Sequence, residues 1–495
     1  MPARFGHDAP QYRAIFIMGG SNTGWPRLRS AIAAALFALA ASACGTMPSA
    51  PQLPEDDCSR WFARLDAAVD AAGVSDAQDE RIEGFAGLRV DRFGQATRTL
   101  LPFDAWLAHA AALDRSAREA EAANLPRAAF PLADAVDAPT ALARSERCRA
   151  AWPSRLGVDA KARAALLQRA QVPDRYAIGL RALGLYPLVR WPFFAGVNSW
   201  QARHLGAIEQ WAAAPPPLQR FAPASGEDVP LVFEIERSRQ PSDATLAPFD
   251  RFGAPVWREG FAAPQVDTTQ PVVYRRRAQA LHGGRVLRQD VFTLWFSERP
   301  ATGRFDLLAG ALDGVIVRLT YGPDGATPWM LDTIHACGCY HLFFPAAGVT
   351  PRAGAPQHEE WAFVAGTLPR RSPGQRWSVR IASGTHYVTG LTLDAGVAAA
   401  QPYAVRDENT LRSLPQPNGA DRRSLYGPDG LVAGSERGER FLFWPMGIAS
   451  AGAMRQWGHH ATAFVGRRHF DDPHLLADRF VLPLQEEGPA KPALP

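Results

Sequence analysis

The densest run of reactive side chains is Asp332-Thr-Ile-His335-Ala-Cys337-Gly-Cys339-Tyr-His341. Imidazoles and thiolates are the groups that zinc and copper take, and here they stand at alternate positions. On a β-strand that period sets His335, Cys337, Cys339 and His341 on one face. Six residues at ~3.3 Å each span ~20 Å, whereas metal–ligand bonds measure ~2.0–2.3 Å, so one ion cannot take all four from a regular strand. Neighbours such as His335 with Cys337, or Cys339 with His341, can share an ion if other segments complete the set. Two other readings compete. In an extended strand the Cα atoms of Cys337 and Cys339 stand ~6.6 Å apart, close to the ~6.8 Å limit for a disulfide, and Gly338 permits the bend that shortens it. Such a bridge is either structural, beside histidines that complete hydrogen bonds in a polar core, or strained and easily reduced, hence a redox pair. A haem attachment is excluded, because it needs two residues between the cysteines and His directly after the second.

A second cluster, Trp457-Gly-His459-His460 and then Arg467-Arg468-His469-Phe-Asp471-Asp472-Pro473-His474, holds four of the chain's 12 histidines. In the sharp reading the two clusters converge. His335, His341 and one of His459 or His469 hold zinc or copper, Cys337 and Cys339 are further ligand candidates, and Asp332 or Asp471 is the general base. Three protein ligands and a water would make a hydrolytic site, since the metal lowers the pKa of that water. The bland account of the second cluster is also sound: Asp472 before Pro473 is what a helix start needs. His358-Glu359-Glu360 begins like a zinc-protease helix, but Ala362 stands where the second His is required. Asp407-Glu408 is assigned to the surface and His386 to the core. There is no Gly-x-Ser-x-Gly elbow, no dinucleotide-binding glycine loop and no EF-hand loop.

The elements that must position these residues change character midway. Trp61, Phe62, Leu65, Ala68 and Val69 recur at helical spacing before Gly73, and similar patterns cover Asp104–Ala123, Asp159–Gln171 with Asp159 as N-cap, and Asn198–Ala213. Proline and small residues at 214–217 and 223–226 then break any helix. Strand-like runs follow at Leu231–Arg237, Val272–Leu281, Arg285–Phe296, Val315–Tyr321, Trp361–Leu368, Trp377–Ala382 and Thr385–Leu393. Gly283-Gly284 between two of them is a hairpin signal. The expected fold is α+β: a helical domain over 58–213, a linker over 214–230, an antiparallel β-rich sandwich or barrel-like domain over 231–482, and a loose tail over 483–495. Tyr321-Gly-Pro-Asp-Gly325 recurs as Tyr426-Gly-Pro-Asp-Gly430, which reads as one favoured turn sequence used twice.

The N-terminal segment speaks to location. Arg27 and Arg29 precede the apolar run Ala31–Ala41, and Ala41-Ser42-Ala43 supplies small residues before Cys44, the layout of a cleavable secretory signal over 1–43. An apolar run this short does not make a spanning helix. The Cys44 site resembles the lipobox of bacterial lipoproteins. That resemblance implies a lipid-modified Cys44, a membrane partner through the lipid, a tether over 44–57, and, with Gly45 rather than aspartate next, an outer-membrane location with a periplasm-facing body. Residues 1–17 fit no part of a signal, which makes Met18 a candidate start. Removal of 1–43 takes away four arginines and one aspartate, lowering the net charge from +4 to +1, so nucleic acid is not an expected partner. An oxidising compartment favours pairing of Cys58 with Cys148. Lysine occurs only at Lys161 and Lys491, which rules out the Gly-Lys-Ser/Thr phosphate loop. The competing functional class is a non-catalytic envelope module with a Cys337–Cys339 disulfide and a small-molecule or envelope-polymer ligand.

Overall fold

The computed structural model describes residues 56–237, 246–354, 356, 358–394, 396 and 399–483, all within one compact unit, Gln52–Pro495. The signal, Cys44 and nearly all of the expected tether and tail lie outside the described residues. The fold is α+β. The main helices of the N-terminal region are α1 (Asp57–Ala71), α2 (Phe103–Asn124), α3 (Ala138–Arg149), α4 (Ala160–Arg169) and α5 (Tyr186–Ala213). Their starts follow local chemistry. Asp56 caps α1 and Asp137 caps α3 in reciprocal boxes with Ser59 and Thr140, and Asp159 caps α4 through the Ala162 N–H. Trp61, Phe62, Leu65 and Val69 form the buried stripe of α1. Cys58 and Cys148 are disulfide-bonded, which ties α1 to α3.

The second half is a 12-stranded sheet. Its strands are β1 (Leu218–Pro223), β2 (Leu231–Glu236), β3 (Phe252–Val256), β4 (Gln265–Asp267), β5 (Val272–His282), β6 (Arg285–Arg299), β7 (Gly310–Tyr321), β8 (Pro328–His335), β9 (Leu342–Pro345), β10 (Trp377–Ile381), β11 (Val388–Leu393) and β12 (Gln401–Asp407). The spatial order is β9-β8-β7-β6-β5-β12-β1-β2-β10-β11, with β3 joining β6 to β4. Antiparallel β5 and β6 turn at Gly283-Gly284, both left-handed at φ 56° and 74°, as a type I′ hairpin requires.

The sheet is mixed rather than antiparallel: β12 runs parallel to β1 and β5, and β10 parallel to β2. These pairings join segments far apart in the chain, which no local pattern reveals. Strand β1 lies inside the expected linker. The expected strand Trp361–Leu368 is reduced to a single bridge, Phe343 to Val364. One core cluster takes Leu342 and Phe344 from one end of the order and Trp377, Val379 and Val388 from the other, so the sheet curls around its own apolar face. Its opposite face, with Tyr274, Trp295, Ile316 and Ile334, is covered by residues from the C-terminal segment, including Leu411, Leu425, Val432, Met454 and Phe470.

Candidate active site

The run Asp332 to His341 is a hairpin tip rather than one strand. Strand β8 ends at His335, Gly338 N–H donates to the His335 carbonyl at 2.7 Å, and His335 N–H donates to the Cys339 carbonyl at 2.9 Å. Gly338 is left-handed at φ 92°, and a Cβ there would stand 2.7 Å from the Ala461 carbonyl oxygen, so only glycine makes this turn. The turn breaks the alternation and sends the two histidines to different partners.

His341 and Asp332 are locked together. Arg318, cross-strand from Asp332, donates to it from Nε at 3.0 Å and Nη2 at 2.6 Å, and His341 Nε2 lies 2.8 Å from the same carboxylate. Burial would raise the Asp332 carboxyl, but the Arg318 guanidinium and its hydrogen bonds hold it below the ordinary value. Burial pushes His341 down to about 3. Asp332 is therefore a structural counter-ion and not a free base.

The remaining predicted residues scatter. His459 Nε2 lies 2.6 Å from the Ala77 carbonyl, beside a polar cleft of about 310 Å³ that also meets Asp79 and Arg175. His469 contacts Asp174 at 3.2 Å, and Asp471 faces Arg92 at 3.3 Å. No group of three or more His, Cys, Asp and Glu side chains among the described residues is placed to hold a metal ion. The expected convergence of His335 and His341 with one of His459 or His469 therefore does not occur among the described residues, because these side chains turn to separate partners: Asp313, Asp332, the Ala77 carbonyl and Asp174. Cys337 and Cys339 are buried free thiols rather than a disulfide. The adjacent Cys337 and then burial push the Cys339 thiol well up.

His335 belongs to a different constellation. Its Nδ1 is 3.6 Å from Asp313 Oδ1; the other Asp313 oxygen is 2.8 Å from His386 Nδ1; and His386 Nε2 is 3.4 Å from Asp250. Asp250 is fixed by the Ser383 hydroxyl at 2.6 Å and the Gly384 N–H at 2.7 Å. His386 stacks on Phe296 at 3.9 Å. The result is a buried chain, Asp250–His386–Asp313–His335. Burial would raise Asp313, but hydrogen bonding to the two histidines holds it well below the ordinary value. Burial would lower His386, but Asp250 and Asp313 hold it up. At the end of the chain burial wins, aided by Arg299 and the charge on His386, and His335 is lowered.

With Nδ1 toward Asp313, His335 turns its Nε2 the other way, and that Nε2 is buried and has no hydrogen-bond partner among the described residues. Tyr340 and Tyr387 flank the ring at 5.0 and 5.6 Å, with Trp200 of α5 over Tyr340 at 4.8 Å, and all three are half-buried. Arg299 donates to the Tyr387 hydroxyl at 3.2 Å. The Glu439 carboxyl has no hydrogen bond or ion pair among the described residues; burial pushes it up to about 7 against the pull of Arg299 and Arg437. Leu312, Tyr340 and His386 are all left-handed, at φ 57°, 59° and 52°. Such residues cost on the order of 1–3 kcal/mol each and gather where surrounding structure over-determines them, often at functional sites. Asp313, Asp250, Glu439 and Arg299 carry no sequence signal, because none stands among histidines or cysteines, and His386 reads as a core residue.

The chain matches no family model, no curated protein and no solved structure. No described helix is long and apolar enough to cross a membrane.

Proposed function

We propose that this is a lipid-anchored envelope enzyme with a hydrolytic site, in which His335 is the general base and Glu439 the proton donor. The observation that carries it is the buried, unpartnered Nε2 of His335 at the end of the Asp250–His386–Asp313 chain. An aspartate that holds Nδ1–H presents the Nε2 lone pair to a reacting group, the logic shared by His-based hydrolases. His335 Nε2 takes a proton from the attacking water, and neutral Glu439 returns one to the leaving group. Arg299, with Tyr387, supplies positive charge for a developing oxyanion. Trp200, Tyr340 and Tyr387 form an aromatic approach suited to a polar organic substrate of the envelope.

Chromogenic acyl esters and aryl glycosides are the first probes. Turnover by the parent that falls about 10²–10⁴-fold in His335→Gln supports the site. Equal turnover by parent and variant, with an imidazole NMR titration that places His335 at its ordinary pKa, refutes it. A non-catalytic module is the second reading, favoured by the satisfied Arg318–Asp332–His341 network, and absence of turnover on every probe would move the assignment there. The anchor follows from the lipobox resemblance at Cys44. Radiolabelled palmitate incorporated by the parent and lost in Cys44→Ser tests it.

A further inference from the structure

Helix α5 spreads its apolar residues around its circumference instead of gathering them in one buried stripe, and His204 is the one residue it buries fully. Its exposed apolar side chains therefore have no covering within the fold. Large apolar side chains on it and beside it are exposed. Leu183 is 77% exposed, Leu188 68%, and Phe441 72%, and Phe193 meets Phe443 at 5.2 Å, which joins α5 to the segment 440–446. Trp191 and Trp444 are also exposed. Monomeric proteins rarely leave such a patch bare.

Arginine outnumbers acid on the two segments. Across 178–213 the acidic residues number one, Glu209, against Arg181, Arg190 and Arg203, and 440–446 adds Arg440 and no acid. Arg190 lies over Trp191 at 5.2 Å and Arg440 over Phe441 at 4.8 Å, so the cations sit on the apolar stems they flank. Tryptophan, leucine and phenylalanine rimmed by arginine are what a bilayer interface selects. Helix α5 is not apolar enough to cross a membrane.

We infer that the surface formed by α5, Leu183 and Phe441–Trp444 docks in the plane of an anionic lipid bilayer, with the helix lying in the headgroup region. The proposal extends the anchored reading: twelve residues separate Cys44 from α1, and even fully extended they reach about 40 Å, so an anchored body stays beside the bilayer. It also brings Trp200, at the mouth of the His335 site, to the membrane surface.

The test uses the chain from Thr46 onward, which holds the whole compact unit and lacks Cys44, so that binding cannot come from a lipid. The parent is sedimented with vesicles of phosphatidylethanolamine and phosphatidylglycerol, and with phosphatidylcholine alone. Leu188→Ser and Phe441→Ser replace exposed side chains, and circular dichroism confirms their fold. Salt-sensitive binding to the anionic vesicles that falls about tenfold or more in the double variant supports docking. Absence of parent binding, or binding unchanged in the variants, overturns it. A concentration-dependent dimer abolished by the same substitutions, with no vesicle binding, assigns the patch to a second copy and also overturns it. Loss of Cys44 lipidation is read separately by palmitate labelling, so failure of the anchor and failure of the surface are distinguishable.

Discussion

The pair Asp76–Arg412 joins the helical half to the β-rich half, and its removal is the sharpest test of how the two are held. Arg412 donates to Asp76 from Nε at 3.0 Å and from Nη2 at 2.6 Å, and Gln456 Nε2 adds a third bond at 2.9 Å. The two side chains are 2% and 4% exposed. Asp76→Asn removes the charge and turns an amide toward a donor, which leaves Arg412 buried without its counter-ion. Breaking one partner of such a pair costs about 3–5 kcal/mol. Asp79 softens the loss, because it is repelled by Asp76 and attracted by Arg412 and ionises more readily once Asp76 is neutral, so the expected cost is about 3 kcal/mol. Urea unfolding of the chain from Thr46, followed by tryptophan fluorescence and far-ultraviolet dichroism, measures it. Burial would raise Asp76, but Arg412 holds it below the ordinary value. Its contribution is then present above the unfolded pKa of about 3.9 and lost as pH falls through the lower folded value. The gap between parent and variant must be full at pH 5–7 and shrink below about pH 4. Asp76→Asn with Arg412→Met should recover much of the loss, since apolar replacement of a buried pair is often neutral. A gap under about 1 kcal/mol at pH 7, or one that persists undiminished at pH 3, refutes the reasoning.

Three further outcomes are expected. Glu439 is raised to about 7, so the stability it leaves intact at pH 4 is lost as pH rises through 7; Glu439→Gln should match the parent at pH 4 and exceed it at pH 8 by up to about 3 kcal/mol in urea unfolding, and parallel pH curves would contradict that. The Cys58–Cys148 bond spans 90 residues, so Cys58→Ser with Cys148→Ser should lower stability by about 4–5 kcal/mol on the chain-entropy model, whereas an unchanged urea midpoint would count against it. Cys337 and Cys339 are buried free thiols, so Ellman's reagent should find two thiols after denaturation and react only slowly before it; absence of thiols in the denatured chain would mean that they are bonded.

The helices were legible because their signals are local. Asp159 as N-cap, the apolar stripe of α1 and the Gly283-Gly284 turn each depend on residues within a few positions, and the structure retains them. What local pattern could not carry was pairing at long range. Strand β12 lies between β1 and β5 through parallel ladders, and β1 is built from residues that read as a linker. The site divides along the same line. His335 stood out because it sits in a dense run, but its partners Asp313, His386 and Asp250 are distributed over a long stretch of chain, and only the curl of the sheet brings them together.

The misread tip of that run shows why dense clusters mislead. A two-residue period predicts one shared face, and that prediction assumes every backbone dihedral stays extended. Left-handed residues at Gly338 and Tyr340 end that assumption, so two histidines six positions apart serve different partners, Asp313 and Asp332. His341 satisfies both ring nitrogens, at Asp332 and Thr462, while His335 turns Nδ1 to Asp313 and leaves Nε2 without a partner among the described residues. The fully bonded histidine stabilises the fold, and the incompletely bonded one is held where the backbone is strained.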